Sequence, residues 1–127
     1  MKVLLPSGRC IHYLNPHAYK GADGIKISFD GHRMGGWGRQ STWGGRLTEN
    51  IVQAVSRDVL AEGILRADIQ GWSLVGHVHD ELIAEESKEW TPGCRDILTE
   101  LMAAPIEWAP GLPLAAEGYE SEFYMKG

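Results

Sequence analysis

Asp80 and Glu81 are adjacent acidic residues at a break between two short apolar runs, and His79 precedes them. The runs at 72–78 and 82–84 have the length and the β-branched or aromatic content of two strands, so the break predicts a hairpin turn. Two neighbouring carboxylates on such a turn repel each other unless water screens them or a cation lies between them. The residues therefore fit a divalent-metal site, and a solvated hairpin tip is the commoner alternative.

His77 and His79 suggest a different metal chemistry for the same stretch. Side chains two residues apart on a strand point to the same face, so these two imidazoles, together with Asp80, could hold a transition metal. A single His-x-His pair in a strand is often incidental. The transition-metal site is therefore kept as an alternative.

The length of 127 residues predicts one domain, over 1–127. No apolar run approaches the roughly 20 residues needed to cross a bilayer, and the apolar stretch at 1–6 is too short for a signal peptide. We therefore expect a cytoplasmic protein with no membrane partner. Cys10 and Cys94 stand far apart in the sequence and form no Cys-x-x-Cys pair, so neither a zinc site nor a disulfide framework is indicated.

The formal net charge of −5 is unevenly distributed along the chain. Residues 1–57 contain eight Lys or Arg against three Asp or Glu, whereas residues 58–127 contain four against fourteen. This asymmetry fits a basic face for an anionic partner, although charges also segregate by chance in small domains. Three aromatic residues could stack on bases, but anchoring in a core or loop is their commoner use: Tyr13, Tyr19 and Trp37.

A long helix is predicted over 48–70, before the acidic pair. Thr48 suits its N-cap, apolar residues recur at helical spacing, and Gly71 ends the pattern. One side of this helix must face a core. The other side carries polar residues that could meet a phosphate or a base edge, with simple solvation as the alternative for each: Asn50, Gln53 and Arg57.

The remaining elements are predicted to be short. A strand, turn and strand occupy 3–14, and 25–29 alternates like a half-buried strand. Residues 15–24, with Asn-Pro and Asp-Gly breakers, and the glycine-rich 35–45 are expected to be loops.

The rest of the chain follows the acidic pair. Thr91 and Pro92 suit the start of a second helix, and 114–119 is expected to be a last strand. This order predicts an α+β fold, an antiparallel β-sheet with two main helices packed on one face.

Four blocks of the sequence occur in an order that resembles a known family. They are LPSGR at 5–9, WGGRLTENIVQA at 43–54, HVHDE at 77–81 and WAPGLPLAAEG at 108–118. Together they resemble the C-terminal end of family A DNA polymerases, the bacterial DNA polymerase I class, in the version carried by bacteriophages. The resemblance covers nearly the whole chain, and it implies that the fold is part of a polymerase palm subdomain. His-Asp-Glu matches motif C of that family.

This resemblance implies roles for the three residues at the hairpin tip. The motif C aspartate, here Asp80, helps to bind two divalent metal ions, expected to be Mg²⁺, that activate the primer 3′-hydroxyl and neutralise the nucleotide triphosphate. Glu81 would be an auxiliary acidic residue near the metals, and His79 would support the primer terminus. Because two-metal chemistry needs carboxylates that bridge ions about 4 Å apart, a lone carboxylate cannot build the site.

The resemblance also implies contacts with primer–template DNA, in addition to the deoxynucleoside triphosphate. Gln53 would touch the minor-groove side of the duplex near the primer end. Asn50, one turn earlier, and Arg9, in the Gly-Arg turn, would contact backbone or bases, and Arg57 is a further candidate on the same helix. Contacts of this kind hold position without reading sequence.

The sequence departs from a complete family A polymerase in what it lacks. It has no Asp-Tyr-Ser type block for the second metal-binding aspartate of motif A, and it lacks the fingers helix, the thumb and the exonuclease domain. We therefore expect a C-terminal palm segment, either a split subunit that completes its site with a larger chain carrying motifs A and B or a remnant. Alone it should not polymerise DNA.

A second function class also fits the sequence. The chain could be a non-catalytic, polymerase-derived protein that binds DNA or associates with a second copy of itself through an exposed palm surface. That alternative predicts that no partner chain restores polymerase activity.

Overall fold

The chain folds into antiparallel strands and two helices. The computed structural model describes residues 1–87, 89 and 93–125. The α+β class with two helices is confirmed. The strands are β1 (Lys2–Leu4), β2 (Cys10–His12), β3 (Leu14–Gly21), β4 (Gly24–Arg33), β5 (Gly36–Thr42), β6 (Leu74–Val78) and β7 (Glu81–Ala84), and the helices are α1 (Gly44–Ile69) and α2 (Cys94–Ala103).

The strands form three separate antiparallel sheets. β1 pairs with β2, β4 lies between β3 and β5, and β6 pairs with β7. Each sheet joins strands that follow one another in sequence, because each connection closes as a hairpin. The antiparallel pairing is as predicted, whereas the single continuous sheet is not found among the described residues.

The chain divides into two compact units, Met1–Ser56 and Arg57–Gly127. The first unit holds the two sheets formed by β1 to β5, and the second holds the β6–β7 hairpin and α2. The prediction of one domain over 1–127 stays a prediction. No helix in the described part of the chain is both long enough and apolar enough to cross a membrane.

The predicted loop over 15–24 is wrong, because β3 occupies most of it. Ala22 and Asp23 form the two-residue turn between the paired residues Gly21 and Gly24, so the Asp-Gly pair lies where two strands are connected. At the other end the register shifts between Leu14 and His17, which places Pro16 in a bulge where no ladder hydrogen bond from its nitrogen is needed. The Asn-Pro and Asp-Gly pairs thus lie near the two ends of β3.

The predicted loop over 35–45 is also wrong over most of its length. β5 pairs along its whole length with β4, from Arg33 opposite Gly36 to Ile27 opposite Thr42. Glycine weakens a strand locally, but here the pairing with β4 holds it. Gly35 and Gly36 have φ angles of 113° and 124°, so they serve the turn that joins the two strands.

Helix α1 begins at Gly44, earlier than the predicted N-cap at Thr48. The Thr48 hydroxyl donates to the Gly44 carbonyl oxygen at 3.1 Å, so Thr48 lies inside the helix and bonds back to the preceding turn. The Trp43 carbonyl accepts from the Leu47 amide at 3.0 Å and starts the helical ladder. A β-carbon on Gly45 would collide with the Trp43 ring, so glycine is what lets that ring lie against the helix start.

The predicted end of α1 at Gly71 is confirmed, and its geometry is a Schellman motif. Gly71 has a φ of 86°, and its amide donates to the Asp68 carbonyl at 2.9 Å. The Trp72 amide reaches back to the Ala67 carbonyl at 3.1 Å. These two bonds satisfy carbonyl groups that the helix leaves open, and they turn the chain away from the helix axis.

Helix α2 forms as predicted, but the segment that follows it does not form the predicted strand. The predicted start at Thr91 and Pro92 lies outside the described residues, and Gly93, with a φ of 106°, precedes the helix. The predicted strand at 114–119 is wrong, since this segment has no ladder partner among the described residues. Gly118 instead lies against α2, where a β-carbon would meet Thr99 at 3.0 Å.

Each unit has a small core of its own. In the first unit Leu5, Tyr13 and Thr42 are buried, and the Tyr13 ring meets Phe29 edge-on with centroids 4.9 Å apart. Core anchoring of Tyr13, the commoner use expected for it, is therefore confirmed. The second unit buries apolar side chains from α1 and from the segments that follow the two helices, and these are Leu60, Ala67, Trp72 and Ile106.

Two neighbouring glycines at the start of α1 provide a matched test of the Trp43 contact. Gly44→Ala meets open space, so it should leave the free energy of unfolding unchanged or raise it by up to about 1 kcal/mol through helix propensity. Gly45→Ala should lower it by about 1 kcal/mol relative to Gly44→Ala, because the methyl group displaces the Trp43 ring. Urea unfolding of both variants measures the difference, and equal effects would contradict the contact.

Candidate functional site

The acidic pair lies at the tip of the β6–β7 hairpin, as the sequence predicted. Val78 is paired with Glu81, so His79 and Asp80 form a two-residue loop between the strands. His79 and Asp80 are exposed, and Glu81 is half-buried as the first residue of β7. The carboxylate of Asp80 is therefore presented at the rim of the hairpin, open to a ligand.

The backbone at His79 is in the left-handed region, with a φ of 51°. Two-residue hairpin loops favour a positive φ at their first position, because that twist matches the twist of the strands. Histidine adopts this conformation more readily than most residues but at some cost. The turn therefore stores modest strain at the residue that precedes Asp80, as is often seen where function fixes the backbone.

The side chain of Glu81 has a partner that sequence reasoning missed. The Tyr124 hydroxyl donates to Glu81 Oε2 at 3.2 Å, across 43 residues of sequence. The Tyr119 hydroxyl donates to the Met125 carbonyl, so the same segment is also bonded to itself. No spacing rule links Tyr124 to the acidic pair, and only the folded chain reveals the contact.

This contact changes the acid–base behaviour of the phenol. Partial desolvation, followed by the hydrogen bond to Glu81, raises the pKa of Tyr124 above its ordinary value of 10.0. A phenol that donates to a carboxylate loses that bond on ionisation, so its neutral form is favoured. At neutral pH Tyr124 therefore stays a hydrogen-bond donor and holds one oxygen of Glu81.

The chain by itself offers two adjacent carboxylates to a metal ion. In the part that the structure describes, no group of three or more His, Cys, Asp or Glu side chains is arranged to hold one. Mg²⁺ commonly binds through one or two carboxylates and completes its shell with water and substrate phosphates. Asp80 and Glu81 thus fit a partial Mg²⁺ site that needs further oxygen ligands from elsewhere.

The alternative site at His77 and His79 loses its geometric basis. β6 ends at Val78, and His79 stands in the turn with a positive φ. The rule that residues two apart share a face holds within a strand, so it does not apply across this boundary.

The predicted DNA-binding residues of the first unit lie at and near helix α1. Arg9 Nη2 donates to the Ala54 carbonyl at 3.0 Å, which ties the turn before β2 to the helix. Gln53 is exposed, and its Nε2 lies 3.4 Å from Glu49 Oε1. The Arg9 side chain thus contacts α1 at Ala54, the residue that follows Gln53.

The Asn50 side chain is already engaged in a hydrogen bond within the protein. Its Nδ2 donates to the Tyr13 hydroxyl at 2.9 Å, and the side chain is half-buried. Its amide therefore secures the buried Tyr13 ring to α1. Arg57 belongs to the second unit, where it is exposed on the same helix.

Comparison with curated proteins identifies one relative. The chain is 40% identical over 127 residues to a protein named DNA polymerase from Bacillus phage SP02. This chain is similar to part of a phage polymerase. The match covers 98% of the chain and 19% of the phage protein, so the chain spans about a fifth of the length of that relative. No protein-family model matches the chain, and no solved structure matches it.

The strain at His79 predicts an unusual ranking of substitutions. His79→Gly should keep the free energy of unfolding within about 1 kcal/mol of wild type, because glycine adopts a positive φ readily. His79→Val should lower it by about 1–2 kcal/mol, because a β-branched residue is disfavoured there. Urea unfolding of the two variants checks the ranking, and an equal or reversed order would contradict the left-handed turn.

The Tyr124 contact predicts a titration. Because the folded-state pKa is raised, the tyrosine's contribution to stability is complete below pH 10.0 and is lost as the pH rises through the folded-state value. Glu81→Gln should move this tyrosine's titration towards its ordinary value, whereas Glu85→Gln, an exposed acid just after β7, should not. Phenolate absorbance measures the titration, with Tyr124→Phe identifying its component. An unchanged titration in Glu81→Gln would contradict the contact.

Proposed function

We propose that the chain is the C-terminal palm segment of a family A DNA polymerase and that it supplies the motif C carboxylates for template-directed nucleotidyl transfer. The observation that carries the proposal is the exposed Asp80 at a two-residue hairpin tip, within a sequence 40% identical to a phage DNA polymerase. The four ordered sequence blocks, which flank and include this tip, support the same reading.

The proposed chemistry assigns each tip residue a separate task. Asp80 binds Mg²⁺ through its exposed carboxylate, and Glu81 adds a second acidic group beside it. Metal ions held there would supply activation of the primer 3′-hydroxyl and charge neutralisation on the nucleotide triphosphate. His79 faces the primer terminus, and the two-residue turn holds its position relative to Asp80.

Primer–template DNA is the proposed partner of the α1 residues. Gln53 is exposed and amide-bearing, so it suits the minor-groove side of a duplex. Arg9 and Arg57 add positive charge that attracts the phosphate backbone. Asn50 contributes less directly, since its amide already secures Tyr13 and thereby the surface that Arg9 and Gln53 share.

The proposal requires a larger chain that carries motifs A and B. Exposed apolar side chains in the second unit suit an interface with such a chain: Leu65, Ile69 and Val75 are 57%, 82% and 59% exposed. The assembly would act on deoxynucleoside triphosphates in the cytoplasm of a bacterial or phage-infected cell, and the isolated chain would be inactive.

A chimeric enzyme tests the proposal. This chain would replace the matching segment of the Bacillus phage SP02 protein, and primer extension would be measured with Mg²⁺. The chimera should extend a primer, and Asp80→Asn should reduce the rate by about 10³-fold or more, because metal stabilisation is worth several kcal/mol and about 1.4 kcal/mol is tenfold.

Asp68→Asn is the matched control, because Asp68 is an exposed aspartate at the end of α1 and is not part of the hairpin turn. Asp68→Asn should change the rate by less than about twofold, since the Asp68 side chain is exposed and has no role in the proposed chemistry. Extension that survives Asp80→Asn would overturn the metal role. A folded chimera without activity would favour the non-catalytic alternative, for which sedimentation of the isolated chain tests self-association.

A further inference from the structure

The three-stranded sheet of the first unit has two chemically different faces. Side chains alternate along each strand, and residues directly opposite each other share a face. Ile27, Phe29 and Thr42 lie on the inner face, where Phe29 meets Tyr13 and Thr42 is fully buried. The opposite face, called the outer face here, is formed by Leu14, His17, Tyr19, Lys26, Ser28, Asp30, His32, Trp37, Arg39 and Ser41.

Side-chain bonds confirm this assignment of the outer face. The hydroxyls of Tyr19 and Ser41 are 2.8 Å apart, which links β3 to β5 across the central strand. Arg39 Nε donates to Ser28 Oγ at 3.2 Å. The outer face is therefore an ordered surface, in which short polar side chains hold larger ones in place.

The aromatic side chains of the outer face are accessible. Trp37 is 66% exposed on β5, and Tyr19 is 38% exposed on β3. They stand opposite His32 and Lys26 on the central strand, six residues or about 20 Å apart along it. A flat indole left this open to water offers a stacking surface, and the separation allows a run of several nucleotides to reach from one ring to the other.

The charge on this face favours a polyanion. Asp30 is engaged by the Asn15 amide at 2.8 Å and by Arg39 at 2.9 Å, and these bonds hold the pKa of its carboxyl below the ordinary value. Its charge is thus offset by Arg39. The Lys26 ammonium lies 3.8 Å from the Asp23 carboxylate, and such surface pairs are weak. The outer face therefore carries two basic side chains, Lys26 and Arg39, against one acidic side chain, Asp30.

We infer that the outer face binds single-stranded nucleic acid. Trp37 and Tyr19 stack on bases, Lys26 contacts phosphates, His17 supplies a further polar contact between the two rings, and His32 supplies one beside Trp37. Stacking on aromatic side chains combined with cationic backbone contacts is the general mode of single-strand binding. The outer face shares no residue with the acidic hairpin tip or with the predicted DNA-binding residues of α1, so the inference goes beyond the proposed polymerase function.

The test is a binding titration with the full chain. Fluorescence anisotropy of an end-labelled oligonucleotide of about 12 residues would be measured at low salt, with single-stranded DNA, single-stranded RNA and a DNA duplex as separate probes. Both single strands should bind at least about fivefold more tightly than the duplex, since paired bases are not free to stack. Equal or tighter binding of the duplex, or no binding of any probe, would overturn the inference.

Matched variants distinguish base stacking on Trp37 from nonspecific electrostatic attraction of the nucleic acid. Trp37→Ala should weaken single-strand binding by about tenfold or more, and Trp37→Phe should restore part of the loss. Lys26→Ala should weaken binding and reduce its salt dependence, whereas Lys20→Ala should change affinity by less than about twofold, because Lys20 is exposed on the other face of the same sheet.

Because Trp37 and Lys20 are exposed, circular dichroism should show that these variants keep the wild-type fold. Equal losses in Lys20→Ala and Lys26→Ala would show nonspecific attraction and overturn the assignment to the outer face. Unchanged affinity in folded Trp37→Ala would do the same. Binding of an acidic peptide with an affinity equal to that of the oligonucleotide would indicate a protein partner and contradict a nucleic-acid face.

Discussion

The end of helix α1 is the constraint on which the second unit depends. The Trp72 amide bonds back to Ala67 while the Trp72 side chain is buried, so the chain leaves the helix in one direction. The base of the next hairpin is then fixed by two bonds, from the Glu85 amide to the Ser73 carbonyl at 2.9 Å and from the Ser73 amide to Glu86 at 2.7 Å. The position of Asp80 at the far end of that hairpin follows from these local bonds.

The sequence predicts correctly the helices and strands that are specified by local sequence patterns. The apolar period and Gly71 predicted the body and the end of α1, and the interrupted apolar run predicted the hairpin that carries Asp80. The sequence predicts loops where β3 and β5 form, because their glycines and polar residues have weak strand preference of their own. Pairing with β4 holds them as strands, and such nonlocal stabilisation overrides local propensity.

The candidate site was predictable in part, for the same physical reason. Residue types and order marked the acidic tip, and a two-residue turn between strands is a local feature. Two hydrogen bonds could not be predicted from the sequence, because their partners are far apart along the chain. Asn50 and Tyr13 are 37 residues apart, and Glu81 and Tyr124 are 43 residues apart. Such contacts depend on tertiary packing, which no spacing of residue types encodes.

The bond between Tyr124 and Glu81 makes the segment around Tyr124 a competitor for the carboxylate. Under the proposed function, a cation that drew on both oxygens of Glu81 would weaken the bond from the phenol. Coupled equilibria are reciprocal, so releasing Tyr124 would strengthen cation binding by the same factor by which the cation loosens Tyr124. The tip and this segment would then behave as linked states, in which metal occupancy sets how firmly the end of the described chain is held.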